Sequence, residues 1–255
     1  DEEHKFGVRQ KEQIRSLKNG INVISLSATP IPRTLNLSLS KVRDISLITT
    51  PPTGRKSVKT IVSRYSKSLV FEAIQREFYR DGQVFYLLNN VSMLEEKKKE
   101  ISDRFPGKTI AYAHGQLRPK ELSKVMQSFI KKEIDLLVCT TIIESGIDIE
   151  NANTLIVEES ENYGLSQLHQ IRGRVGRSKR EAYAYFLLNE NKELKNKASE
   201  RIEALQENES LLSGFSLAMR DLEIRGAGEL LGEKQSGPID AVSYTHLTLP
   251  TNREV

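Results

Sequence analysis

From Ile21 onward, short apolar runs alternate with longer stretches in which apolar residues recur every three or four positions. The runs Asn22–Ser27, Val58–Arg64, Gln83–Leu88, Thr109–Ala113, Asp135–Cys139, Thr154–Glu158 and Ala182–Leu188 predict strands. Several are nearly continuously apolar, as in Leu136-Leu137-Val138, which is the pattern of strands covered on both faces. Parallel neighbours need a crossover that a helix can supply, so the alternation predicts an α/β fold on a parallel sheet. Two covering helices are readable: Ser68–Tyr79, with Leu69, Ala73 and Phe78 near one stripe, and Pro119–Lys131, which opens on a proline and carries Leu122, Val125, Met126 and Phe129 at helical spacing. The charged run Glu95–Glu100 reads as a solvated helix face.

Thr49-Thr50-Pro51-Pro52-Thr53-Gly54 is rich in stiffening and turn-forming residues and predicts a domain boundary. After Leu188 the strand pattern stops, and Lys192–Asn208 and Glu209–Arg220 read as two helices before the glycine-bearing stretch Arg225–Gly232, so a further module is expected there. Composition narrows the classes. No apolar stretch reaches a dozen residues, which excludes a membrane-spanning helix in the sequence as given. One cysteine, Cys139, excludes an internal disulfide framework, and four scattered histidines give no zinc spacing, so a reducing cytoplasm is expected. The 38 basic against 34 acidic residues leave a charge of +4, which permits a polyanionic partner without requiring one. The chain opens on Asp1-Glu2-Glu3 with neither initiator methionine nor signal peptide, which suggests a piece of a longer protein.

Four segments can carry chemistry. Asp1-Glu2-Glu3-His4 is an acidic cluster in which one carboxylate can hold magnesium while its neighbour activates water, although a solvated terminus gives the same pattern. Gln170-Ile171-Arg172-Gly173-Arg174-Val175-Gly176-Arg177 crowds three arginines beside glycines that permit close backbone approach. Like charges so close require solvent or an anion, and guanidinium groups suit a transferring phosphoryl group; a basic loop touching nucleic acid is the blander alternative. Ser27-Ala28-Thr29-Pro30 and the loop Thr140–Asp148 each follow an apolar strand, where open parallel sheets place ligand loops. Their hydroxyls can meet phosphates or merely cap helices, and Asp148 can accept a ribose hydroxyl. Gly107-Lys108-Thr109 imitates the end of a phosphate-binding loop, but it lacks the earlier glycine and precedes a strand, so it reads as a turn. The chain contains no GxxxxGK[S/T] loop.

Taken in order, these four segments resemble motifs II, III, V and VI of the superfamily 2 helicases and translocases. The resemblance implies RecA-like lobes with ATP and Mg2+ in the cleft between them. Residues 1–50 would be the end of the first lobe, 51–189 the second lobe, and 190–241 a helical hairpin and loop of the TRG type. Phe6-Gly7-Val8-Arg9, Ala28–Thr34, Ala113-His114-Gly115-Gln116 and Asp221–Gly232 through Gln235-Ser236-Gly237 are similar to the bacterial transcription-repair coupling factors. RecG-like fork-reversing helicases are the alternative. Glu3 and the Gly226–Gly232 stretch favour the former.

By position, the resemblance implies that Asp1 helps hold magnesium, Glu2 polarises water, and Ser27 and Thr29 couple nucleotide state to lobe movement. Arg174 and Arg177 would face the γ-phosphate, while Gly146, Asp148 and Gln170 would lie by the nucleotide. Arg225 and Gln235 would convert lobe closure into a step along duplex DNA. His114 and Thr141 would touch a DNA backbone, with a satisfied loop histidine as the other reading of His114. The partners implied are double-stranded DNA and, through domains elsewhere in a longer protein, RNA polymerase and nucleotide excision repair proteins. Without a phosphate-binding loop, this chain alone is expected to hydrolyse no ATP. A non-catalytic nucleic-acid-binding module remains the rival from another class. Residues 242–255 depart from the resemblance, look like translated adapter sequence, and are expected to pack poorly.

Overall fold

The computed structural model describes residues 56–141, 149, 151–190, 196–207 and 214–225, with 24, 26, 46–48 and 50 as isolated positions. The expected strand at Asn22–Ser27, most of the expected first-lobe remnant and boundary, and the expected tail lie outside the described residues.

The elements alternate: β1 (Val58–Arg64), α1 (Lys67–Tyr79), β2 (Gln83–Leu87), α2 (Leu94–Arg104), β3 (Ile110–Ala113), α3 (Pro119–Ile130), β4 (Leu136–Cys139), β5 (Ala152–Val157), α4 (Leu165–Arg172), β6 (Ala182–Leu188), α5 (Asn196–Glu207) and α6 (Gly214–Arg225). One-turn 3-10 helices at Val91–Met93 and Ser160–Asn162 precede α2 and α4. The strands form one six-stranded sheet in the order β1-β6-β5-β2-β4-β3, with every pairing parallel. This is the predicted α/β sheet. Val58 pairs Ala182 and Arg64 pairs Leu188, while Leu87 lies between Cys139 and Val157 at the sheet's centre.

Burial follows strand position. Every residue of β2, β4 and β5 is buried, whereas β1, at an edge, leaves Lys59 in solvent. One face is covered by α1 and α2, which pack Val70, Ile74, Phe78, Leu94 and Ile101 onto Val84, Tyr86, Val138 and Ile156. The other face carries α3 and α4, with Phe129, Leu165, Leu168 and Ile171 against Phe85, Leu137, Leu155 and Phe186. Ala204 and Leu205 of α5 and Leu217 of α6 belong to this same core, so both C-terminal helices lie on the α4 side. Among the described residues, no helix is long and apolar enough to cross a membrane.

Local chemistry explains the punctuation. Pro119 sits in the first turn of α3, where its fixed φ costs no hydrogen bond. Gly107, with φ +91°, forms the turn before β3, and Lys108 Nζ beside it pairs with Asp135 Oδ1 at 3.0 Å, so the glycine-lysine triplet is a turn as expected. The charged run of α2 is not wholly solvated. Lys97 turns inward with a side chain only 11% exposed, bound to Glu158 at 3.1 Å and Glu100 at 2.9 Å.

Candidate functional site

The arginine-bearing segment starts as α4 and ends as a tight turn. Leu165, Leu168, Ile171 and Arg172 form the buried stripe of the helix. Past Arg172 the backbone continues in one-turn hydrogen bonds, Gly173 N–H to His169 O at 3.0 Å and Arg174 N–H to Ile171 O at 3.0 Å. Val175 is fully buried and anchors the turn to the core. Gly176 has φ +72°, and a Cβ there would lie 2.9 Å from Val58 Cγ2 and 3.0 Å from the Cβ of Ala182. The close approach made possible by this glycine is therefore to the amino ends of β1 and β6 in its own sheet. Ser178 Oγ, 2.9 Å from Asn153 Oδ1, ties the same segment to the amino end of β5. Arg177 Nε donates to Gly173 O at 3.3 Å across the turn.

The three arginines have different environments. Arg174 is buried, at 8% exposure, while Arg177 and Gln170 are half-buried on the same turn and helix end. Arg172 is 4% exposed and structural: its Nη1 donates to Leu205 O at 2.9 Å and to Thr60 Oγ1 at 3.3 Å, and its Nη2 lies 3.1 Å from His169 Nδ1. This corrects the expectation that three crowded arginines need solvent or an anion. Arg172 is accommodated by a backbone carbonyl of α5, a β1 hydroxyl and a neutral imidazole. His169 is held neutral, its pKa pushed down to about 4 by burial and then by the Arg172 charge. The role of Arg172 was not distinguishable in sequence, because its hydroxyl and carbonyl partners come from β1 and α5.

Thr141 and His114 stand at the other end of the sheet. Thr141 follows the carboxyl end of β4, and Thr140 N–H reaches Ala113 O at 3.4 Å, joining the exits of β3 and β4. His114, just past β3, stacks on Tyr112 with ring centroids 6.2 Å apart, and its Nδ1 is buried without a hydrogen-bond partner among the described residues. The sheet separates these two groups from the arginine turn by a strand's length, roughly 20 Å at 3.3 Å per residue. The carboxyl-end rule for ligand loops fits Thr141 but not the arginines.

Asp1, Glu2, Ser27, Thr29, Gly146, Asp148 and Gln235 lie outside the described residues, as does the side chain of Arg225, whose backbone closes α6.

A second polar cluster, unmarked in the sequence, sits at the carboxyl ends of β2 and β5. Tyr86 donates its hydroxyl to Glu158, which also pairs with Lys97, and Lys97 Nζ lies 3.1 Å from the Tyr65 hydroxyl. Burial works against the Lys97 charge, but Glu158, Glu100 and Tyr65 outweigh it and hold its pKa above the usual lysine value. Burial first, and then Glu158, raise the Tyr86 phenol well above its ordinary range. Glu158 N–H bonds Leu87 O, and Leu88 N–H bonds Cys139 O, so the carboxyl ends of β5, β2 and β4 are tied side by side at this cluster.

Comparison with known proteins places the chain. Residues 67–179 match the helicase conserved C-terminal domain family. The chain is 53% identical over 244 residues to the transcription-repair-coupling factor of Staphylococcus aureus (strain USA300), covering 96% of this chain and 21% of that protein. It is 54% identical over 244 residues to the same factor of Staphylococcus epidermidis, again covering 96% of this chain and 21% of the relative. The structure of RecG bound to a three-way DNA junction shares the fold with TM-score 0.66 and 34% identity over 87% of this chain and 29% of that one. The chain thus spans about a fifth of the length of the curated relatives it matches. By these matches the chain is similar to the helicase conserved C-terminal domain over residues 67–179 and to the transcription-repair-coupling factors over 96% of its length.

Proposed function

We propose that this chain supplies the second RecA-like lobe (51–189) and the following helical hairpin (190–241) of an ATP-dependent double-stranded DNA translocase, with residues 1–50 closing the first lobe. The translocase displaces stalled RNA polymerase and couples transcription to nucleotide excision repair in the bacterial cytoplasm. The observation that carries the reading is the 53% identity to a transcription-repair-coupling factor across 96% of the chain. A RecG-like fork-reversing helicase is the second reading, favoured by the shared fold at 34% identity; the higher identity supports the first.

In this reading Arg174 and Arg177 meet the terminal phosphates of ATP, and the turn seated against β1, β5 and β6 fixes their height on the lobe. A rigid mount suits the task, because preorganised guanidinium groups stabilise developing charge without reorganising during reaction. Gln170, one turn earlier on α4, orients toward the same site, with Gly146 and Asp148 beside the nucleotide. Asp1 would help hold Mg2+, which draws charge from the phosphates, and Glu2 would orient water. Ser27 and Thr29 sense nucleotide state, His114 and Thr141 meet the DNA backbone, and Arg225 and Gln235 pass lobe movement to the duplex. The residue types fit phosphate on the arginine side, where cations are presented from a structured turn.

The test is DNA-stimulated ATP hydrolysis by a longer protein that includes a phosphate-binding loop upstream of Asp1. Arg177→Ala is expected to lower turnover by about a thousandfold, the scale of an arginine finger, while duplex binding persists. The 255-residue chain alone is expected to be inactive. DNA-stimulated turnover by that chain, unchanged in Arg177→Ala, would place the hydrolytic site elsewhere.

A further inference from the structure

At the amino ends of β1 and β6, three cations gather on one aromatic ring. The Arg76 guanidinium carbon lies 3.8 Å from the Tyr183 ring centroid, that of Arg80 5.3 Å, and Lys59 Nζ 5.6 Å. The cluster continues into the turn after Arg177. Arg80 Nη1 donates to Glu181 O at 3.0 Å, and Arg180 Nη1 donates to Arg80 O at 2.7 Å. Lys56 and Lys179 are exposed on its borders, with Lys56 near enough to Glu181 to lower that carboxyl's pKa.

The compensating charge is small. Arg80 pairs with the buried Glu77, and Lys59 pairs with Glu181 at 3.3 Å. Lys56, Arg76, Lys179 and Arg180 form no ion pair with any described carboxylate, although Glu72 stands one turn before Arg76 on α1 and Asp81 follows Arg80. The C-terminal dipole of α1 accounts for cations at Arg76 and Arg80, and cation–π attraction to Tyr183 adds to it. Neither accounts for Lys56, Lys179 and Arg180, which come from other segments and converge on the same surface. Six cations against two paired carboxylates, with Glu72 and Asp81 alongside, form a band with an excess of two positive charges that an anion track would satisfy.

We propose that this band is a second contact for the phosphodiester backbone of duplex DNA, separate from the one expected at His114 and Thr141, which lie at the opposite ends of the strands. An acidic protein is the less suitable partner. Protein interfaces centre on buried apolar anchors, and here the Tyr183 ring is already covered by Arg76, while the charges spread outward around it. A backbone contact requires only spaced cations, and it carries no sequence information. The proposal rests on the DNA-translocase reading for its partner, but not on the nucleotide site.

The test is fluorescence-anisotropy binding of a short blunt duplex to the 255-residue chain between roughly 50 and 200 mM NaCl. Arg76→Ala with Arg180→Ala is expected to weaken binding on the order of tenfold and to make the log K against log salt slope shallower by about two. Arg76→Lys with Arg180→Lys should restore most of both. Lys56→Ala with Lys179→Ala, which removes no aromatic or backbone contact, should shift the slope in the same direction even if the arginine pair destabilises the fold. Unchanged affinity and slope in both alanine pairs would overturn the proposal, as would loss of polyglutamate binding with duplex binding intact. If His114→Ala with Thr141→Ala weakens duplex binding while the band variants do not, the band falls and the translocase reading stands. Absence of duplex binding by the unaltered chain removes the band as well, leaving ATP turnover in the longer protein to decide the function.

Discussion

Arg172 shows how far a residue's role depends on partners remote in sequence. Its neighbours in the chain are two further arginines and two glycines, and charge alone puts all of them at the surface. In the fold it is the buried link between α4, β1 and α5, because Leu205 O and Thr60 Oγ1 offer acceptors and His169 stays neutral beside it. That neutrality has a pH consequence. A histidine whose folded pKa lies near 4, against an ordinary 6.5, contributes stability that is fully present above pH 6.5 and is lost as pH falls toward 4, since the unfolded chain takes up the proton first. Urea midpoints measured from pH 7 to 4 are expected to show a loss of about 3 kcal/mol attributable to this group. His169→Gln, which keeps an acceptor for Arg172 but cannot titrate, should flatten that part of the profile.

Among the elements, the apolar runs located the strands to within a residue or two: β1 and β6 begin and end where the pattern predicts, and β4 starts one residue late. The buried strands left little choice, because a run such as Leu136–Cys139 has no polar face to expose. Helices at the end of the chain were less legible. The expected helix Glu209–Arg220 appears within the described residues as Gly214–Arg225, because burial of Leu217, Ala218 and Asp221 against α4 and α5 carries the helix past Arg220. The helix α2 departs in another way. Its six-residue charged run gave no sign that Lys97 would be drawn to Glu158, since that carboxylate lies beyond β5. Removing one member of a buried pair leaves the other without compensation, so Lys97→Met is expected to cost about 3 kcal/mol by chemical denaturation. Lys97→Met combined with Glu158→Leu should cost less than the two single changes added together, and additive costs would show that the pair is not coupled.

For the whole molecule, α5 and α6 are part of the core that the sheet and α4 build. Ala204, Leu205 and Leu217 are buried in the same cluster as Leu165 and Ile171, and Leu205 O receives the Arg172 guanidinium. A chain ended after Glu190 exposes that apolar surface and leaves a buried arginine short of an acceptor. Its Tm is expected to fall by on the order of 10 °C relative to the intact chain, as measured by calorimetry. A Tm unchanged by the cut would mean that the two helices only rest on the domain.

The sequence by itself determined the layers. Its periodicities predicted parallel strands with covering helices, because local patterns follow the 2.0 and 3.6 periods of the backbone, and the order of four charged and hydroxyl-bearing segments resembled helicase motifs. Only the tertiary structure decided which charges are buried and which ends of the sheet they occupy. It assigned Arg172 to the core, left Arg177 on the turn, brought Lys97 to Glu158, and gathered Lys56, Arg76 and Arg180 from three segments into one band. The physical reason is that desolvation and pairing depend on distance in space, and residues more than a hundred positions apart meet only when the sheet has set its strand order.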